Sequence, residues 1–224
     1  MDKYNVYQDM SRRTGGEIYL GIVGPVRTGK STFIKRFMEL VVIPEMADDN
    51  EKVRTIDELP QSADGKTIMT TEPKFIPKEA AVIHFSNQET GKIRLIDCVG
   101  YLVPEAVGAI EEEKERMVKT PWSEEEIPFS KAAEIGTSKV IREQSNLGLI
   151  ITTDGSFGDI AAANFEEALQ KTVMECEKAG KPFLILVNTS RPDSQETIQF
   201  TKRLEAQYGK TVMAVNCKTM DRED

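Results

Sequence analysis

Gly24-Pro25-Val26-Arg27-Thr28-Gly29-Lys30-Ser31 has the spacing of a phosphate-binding loop, G-x-x-x-x-G-K-[ST]. The pattern carries meaning only between a strand and a helix, because N–H groups of the loop and of the helix N-terminus must converge on phosphate oxygens. Both neighbours are legible. Ile18-Tyr19-Leu20-Gly21-Ile22-Val23 is short and rich in β-branched and aromatic residues, which predicts a buried strand. Phe33, Ile34, Phe37, Met38 and Val41 recur at helical spacing, which predicts a helix from about Lys30 that stops before Pro44. In that setting Gly24, Pro25, Val26, Arg27, Thr28, Gly29, Lys30, Ser31 and Thr32 form the cradle. Lys30 would reach the β- and γ-phosphates and Ser31 would ligate Mg2+.

A cradle alone hydrolyses nothing; an acid must hold the metal's shell from the end of a neighbouring strand. Ile93-Arg94-Leu95-Ile96-Asp97 supplies it in Asp97, and Asp97-Cys98-Val99-Gly100 also reads as D-x-x-G, where the Gly100 amide can sense the γ-phosphate. Thr70 and Thr71 lie between these motifs, where a hydroxyl can complete the Mg2+ shell and order the loop. A plain pair of loop threonines is the competing reading, and the sequence does not say which of the two would be the sensor.

P-loop GTPases with this element order carry N-K-x-D after a later strand, its aspartate reading guanine. This chain has Asn188-Thr189-Ser190-Arg191. Asn188 stays in the nucleotide-binding set, but Thr189 replaces the lysine and Arg191 reverses the charge of the acid, so guanine specificity is expected to be lost. Tyr101 stands where a water-orienting residue often follows D-x-x-G. It cannot act as glutamine does, so slow hydrolysis or help from a neighbouring subunit is expected. Asp154-Gly155-Ser156 falls on the carboxyl edge where ligands bind in open α/β sheets, and reads either as lining or as a plain turn.

Strand-like runs at 81–85 and 93–96, separated by turn-forming residues, predict an antiparallel hairpin. Strands at 149–152, 183–187 and 212–215 alternate with helices at 165–178 and 194–208, which predicts a mostly parallel sheet covered on both faces. The segment 44–79 carries four prolines and reads as a long functional loop. From Tyr101 to Asn146 there is no strand signal, and the segment reads as an inserted helical arm. Its charges at 111–115 read as a solvated face or, alternatively, as part of an interaction surface built on Trp122 and Phe129. Residues 1–16 are an N-terminal extension and 17–224 one P-loop domain. With no helix after the last strand, the chain is expected to be the N-terminal part of a longer protein.

Length and composition exclude several classes. The 224 residues correspond to about one and a half domains at roughly 150 each. Hydrophobic residues are 39%, enough for a core, and the net charge of −8 disfavours electrostatic capture of nucleic acid or an anionic membrane. No run approaches the roughly 20 apolar residues that cross a bilayer, and the N-terminus does not read as a signal peptide. The three cysteines share no short spacing and the count is odd, which fits a reducing cytosol. His84, the only histidine, falls in a strand run and supports neither a zinc site nor a triad.

The cradle, the Thr70-Thr71 pair, Asp97 to Gly100, Pro121-Trp122, Thr152 to Ser156 and the degenerate Asn188 to Arg191 together resemble the N-terminal ATPase domain of the stage IV sporulation protein A family. The resemblance covers essentially the whole chain and implies an ATPase on a translation-factor-like GTPase lineage, with ATP and Mg2+ as cofactors. It implies that ATP hydrolysis drives polymerisation into a spore-coat layer on the outer forespore membrane, on the mother-cell side. Partners implied are further copies of the chain, other coat proteins and a small amphipathic membrane-anchoring peptide, the last through a C-terminal region beyond residue 224. Position by position, Lys30 is implied as the phosphate-binding lysine, Asp97 as the metal-site acid, and Thr70 and Thr71 as candidate sensors. A GTP-dependent switch, and a coat scaffold that binds nucleotide without turnover, remain the alternatives.

Overall fold

Glu17–Val23 forms β1, and the turn after it runs directly into α1, Lys30–Phe37. In the computed structural model, the described residues are 16–60, 72–84, 90–106, 110–111 and 114–224. Thr70 and Thr71 lie outside them, as do residues 1–15. In chain order there follow α2 (Asp49–Glu58), β2 (Lys74–His84), β3 (Thr90–Asp97), β4 (Ile110–Glu111), β5 (Lys114–Glu115), β6 (Met117–Thr120) and β7 (Ser123–Pro128). Next come α3 (Phe129–Lys139), β8 (Leu147–Thr153), α4 (Glu166–Lys178), β9 (Phe183–Asn188), α5 (Gln195–Tyr208) and β10 (Val212–Val215).

Among the described residues, the main sheet has six strands in the order β10-β9-β8-β1-β3-β2. β1 runs parallel to both β3 and β8, β8 to β9 and β9 to β10, while β2 is antiparallel to β3. The mostly parallel sheet with one antiparallel strand is therefore as the sequence predicts. β1, β8 and β9 are largely apolar because both their faces are covered, whereas β3 carries Lys92 and Arg94 between its buried residues. On one face Ile22, Leu95 and Ile151 meet Phe33, Ile34 and Met38 of α1 and its continuation. On the other, Val23, Ile96, Ile150 and Ile185 meet Val140 and Ile141 after α3, Leu169 and Val173 of α4, and Leu204 of α5. Fully burying one such side chain is worth about 1.5–3 kcal/mol, so both layers contribute substantially. β1 sits where the chain order reverses, between β3 and β8, and its carboxyl end is the natural crevice for a ligand.

Three expectations change. The first helix does not stop before Pro44: a wider π turn at Met38–Val42 and a 3₁₀ turn at Ile43–Glu45 carry it through the proline. Proline lacks the N–H but fits the first positions of a new turn. The segment 44–79 is not all loop, because it holds α2, capped by Asp48, whose carboxylate accepts from the Asn50 and Glu51 amides. The segment from Tyr101 to Asn146 is not purely helical: β4 pairs with β5 and β6 with β7 before α3 begins. Exposed acids at Glu124, Glu125 and Glu126 hide the β6–β7 hairpin from any alternation rule. Phe129 is wholly buried under the Arg116 guanidinium and is unavailable as an interaction surface.

Candidate functional site

The phosphate-binding loop and the D-x-x-G segment meet backbone to backbone. The Val26 amide donates to the Tyr101 carbonyl at 2.8 Å and the Tyr101 amide to the Gly24 carbonyl at 3.3 Å. Gly100, at φ +94°, is so close beneath the loop that a Cβ would lie 2.1 Å from the Gly24 oxygen and 2.6 Å from Lys30 Nζ. Only glycine fits there. At Gly29, φ +92°, a Cβ would lie 2.3 Å from Asn188 Nδ2, so the turn into α1 is equally intolerant of a side chain.

Lys30 is 5% exposed, and its ammonium donates to the Pro25 carbonyl at 2.6 Å and reaches the Gly24 carbonyl at 3.5 Å. Burial pushes its pKa down, while Cys98 and Asp97 pull it back up. Thr28, also buried, donates to the Pro25 carbonyl at 3.0 Å and closes the loop on itself. Ser31 and Thr32 follow in the first turn of α1, where amides have no intrahelical acceptor.

Asp97 ends β3 beside this turn. Its Oδ2 accepts from Ser31 Oγ at 2.8 Å, and its Oδ1 is buried without a partner. Burial raises the Asp97 pKa, opposed by the Ser31 hydrogen bond and by the charges of Lys30 and Lys74. A hydroxyl and an orphaned carboxylate oxygen side by side suit Mg2+, which takes one or two protein oxygens and completes its octahedron with phosphate and water. Among the described residues no cluster of three or more His, Cys, Asp or Glu could hold a metal by itself. The donor set therefore fits an ion brought in with a phosphate ligand.

The other end of the crevice is built from side-chain hydroxyls. Asn188, at the end of β9, donates from Nδ2 to the Thr28 carbonyl at 3.0 Å and accepts the Cys217 amide on Oδ1 at 3.0 Å. It thereby braces the loop against the segment after β10. Thr189, wholly buried, donates to Asp154 Oδ2 at 2.6 Å and accepts the Arg191 amide at 3.2 Å. Ser156 Oγ accepts the Ser190 amide at 2.8 Å. Asp154 and Ser156 thus belong to this end of the crevice rather than to an isolated turn. Arg191 points to solvent and lies 3.7 Å from Glu196.

The sequence places Lys30, Ser31, Asp97, Gly100 and Asn188 at one locus, and the geometry joins them there. Sequence reasoning missed Glu175, which accepts the Tyr101 hydroxyl on the side of the segment facing α4. No motif or spacing signals it.

Fold and site together define a P-loop nucleotide-binding α/β domain. The chain belongs to the family described as Stage IV sporulation protein A, ATPase domain, whose model matches residues 1–224. It is 51% identical over its whole length to stage IV sporulation protein A of Bacillus subtilis (strain 168), covering 46% of that protein. It is 50% identical to that of Bacillus anthracis over 224 residues, again 46% of that protein. Against that of Clostridioides difficile (strain 630) it is 47% identical over 220 residues, 45% of that protein. The chain therefore spans about half the length of these curated relatives. Among the described residues, no helix is long and apolar enough to cross a membrane.

Proposed function

We propose that this domain binds ATP with Mg2+ and hydrolyses it to ADP and phosphate, and that turnover drives self-assembly of the full-length protein into a spore-coat layer at the forespore surface. One observation carries the reading: a closed phosphate end, with the Ser31–Asp97 pair in hydrogen-bond contact, beside a base end whose guanine-reading lysine and acid are replaced by Thr189 and Arg191. In this reading Lys30 neutralises charge on the β- and γ-phosphates. Ser31 and Asp97 hold the ion, which would supply charge neutralisation at the transferred phosphoryl group. Gly100 presents its amide to the γ-phosphate, and Thr70 or Thr71 completes the metal shell. Copies of the chain, other coat proteins and an amphipathic anchoring peptide are the proposed partners, and the outer forespore membrane on the mother-cell side is the proposed location.

Competition of labelled ATP by ATP and by GTP in the presence of Mg2+, followed by phosphate release, tests the reading. Displacement by ATP alone with slow release is expected, and Asp97→Ala is expected to bind ATP yet release phosphate at least about tenfold more slowly. Displacement by GTP alone, or wild-type turnover in Lys30→Ala, would overturn it. A nucleotide-stabilised scaffold is the second reading. It draws support from Tyr101, whose hydroxyl is engaged by Glu175 and so does not take the place of a water-orienting glutamine. A single-turnover assay that returns ATP unhydrolysed would select it.

A further inference from the structure

We propose that Glu175 is a positioning residue: acting through Tyr101, it fixes the contact between the D-x-x-G segment and the phosphate-binding loop and ties both to helix α3. Its kinetic consequence rests on the hydrolase reading above, whereas its structural part does not.

Tyr101 directly follows Gly100, and its main chain is stitched to the loop in both directions, from the Val26 amide and to the Gly24 carbonyl. Because Gly100 leaves no room for even a Cβ against Gly24 and Lys30, a displacement of Tyr101 by a fraction of an ångström is transmitted to the Lys30 ammonium. What holds Tyr101 is its side chain, 3% exposed and packed among Val26, Val103, Ile160 and Phe165. Its hydroxyl donates to Glu175 on α4, and Lys171, one turn earlier, lies 4.7 Å from the ring centroid.

The other Glu175 oxygen accepts from Ser138 Oγ of α3 at 2.5 Å and from Arg142 Nε just beyond it at 3.0 Å. One carboxylate, 13% exposed, thus receives hydrogen bonds from the D-x-x-G segment, from α3 and from the turn after it. A carboxyl group withdrawn from water is costly unless satisfied, so these bonds act as a unit rather than as independent surface contacts.

The test uses the full-length protein with Glu175→Ala, Tyr101→Phe, the double variant and Glu175→Gln. Hydrogen exchange over peptides spanning 20–30 and 98–106 is expected to speed up about tenfold in each of the first two, with peptides from β8 and β9 unchanged. The double variant is expected to add nothing further, because both changes break the same link. Glu175→Gln is expected to fall between, since its amide oxygen still accepts the Tyr101 hydroxyl. For ATP, kcat is expected to drop about three- to tenfold with KM within about twofold of wild type. Unchanged exchange at 20–30, equal acceleration across the whole sheet, or additive single effects would overturn the proposal. If the wild type hydrolyses nothing, the hydrolase reading falls while the exchange pattern still decides the role of Glu175. Should Glu175→Ala fail to fold, Tyr101→Phe, which keeps the ring, carries the same test.

Discussion

At the phosphate end the crevice is shaped by main chain, with Gly29 and Gly100 held where a Cβ would strike Asn188 Nδ2 and the Gly24 oxygen. At the base end it is shaped by side chains, with Thr189, Asp154 and Ser156 joined by hydroxyl hydrogen bonds around Asn188. The difference lies in what each can tolerate. A surface of backbone amides serves any phosphate and admits few substitutions, because every change is steric. A surface of side-chain donors can be rewritten one residue at a time, which is how a guanine-reading lysine and acid can be absent while the sheet and cradle stay intact.

Lys30→Ala should produce the largest effect and fall entirely on the phosphate end. Mg-ATP affinity measured by calorimetry is expected to drop at least about 100-fold, equivalent to about 2.7 kcal/mol. Folding should survive, since the fold already pays to bury that ammonium and its pKa is pushed down. Retained affinity would mean that the loop amides alone hold the ligand.

Gly100→Ala should come next. Strain at φ +94° together with a Cβ only 2.1 Å from the Gly24 oxygen predicts a loss of about 3 kcal/mol, or roughly 6–12 °C in Tm by calorimetry. A loss below about 1 kcal/mol would show that the main chain there yields to a side chain, and would erase the contrast with the base end.

Thr189→Val, nearly isosteric, removes the donor to Asp154 and the acceptor of the Arg191 amide. A loss of about 1–2 kcal/mol is expected from denaturant unfolding, with ATP affinity changed less than about threefold. An affinity loss as large as that of Lys30→Ala would mean that the two ends are not separable.

The thiols give the finest comparison. Burial pushes Cys98, at the phosphate end, up to about 11, and Cys217, next to Asn188, up to about 12, while Cys176 in the second core layer also rises to about 12. A thiol whose pKa is raised is neutral below that value, so at pH 8 almost no reactive thiolate is present in the folded protein. Alkylation at pH 8 is expected to leave all three unlabelled on the timescale that labels them fully in denaturant. Faster labelling of Cys217 than of Cys98 would show the base end opening more readily. Rapid labelling of Cys98 would contradict the closed phosphate end.

Much of the fold was open to reading because burial on both faces writes itself into composition. β1, β8 and β9 are apolar runs, β3 alternates Lys92 and Arg94 with Ile93 and Leu95, and α1 shows its stripe in Phe33, Ile34 and Phe37. Where burial is one-sided or absent, that signal vanishes. In α2 the buried residue is Thr55, while Val53 and Ile56 are 59% and 52% exposed, so the helix shows no apolar stripe and only its Asp48 cap marks it. The β6–β7 hairpin is hidden likewise, its acids facing outward on β7.

The sequence by itself determined the phosphate end. A glycine-spaced loop between an apolar strand and a helix, with an acid at the next strand's end, has few ways to fold, because backbone geometry and hydrogen-bond satisfaction leave little choice. Only the tertiary structure decided which way Tyr101 turns, that Asn188 braces the loop against the segment after β10, and that Glu175 joins α4 to the D-x-x-G segment and to α3. Those contacts pair residues 29 to 160 positions apart, and their partners are settled by how helices and loops stack on the finished sheet rather than by any local pattern.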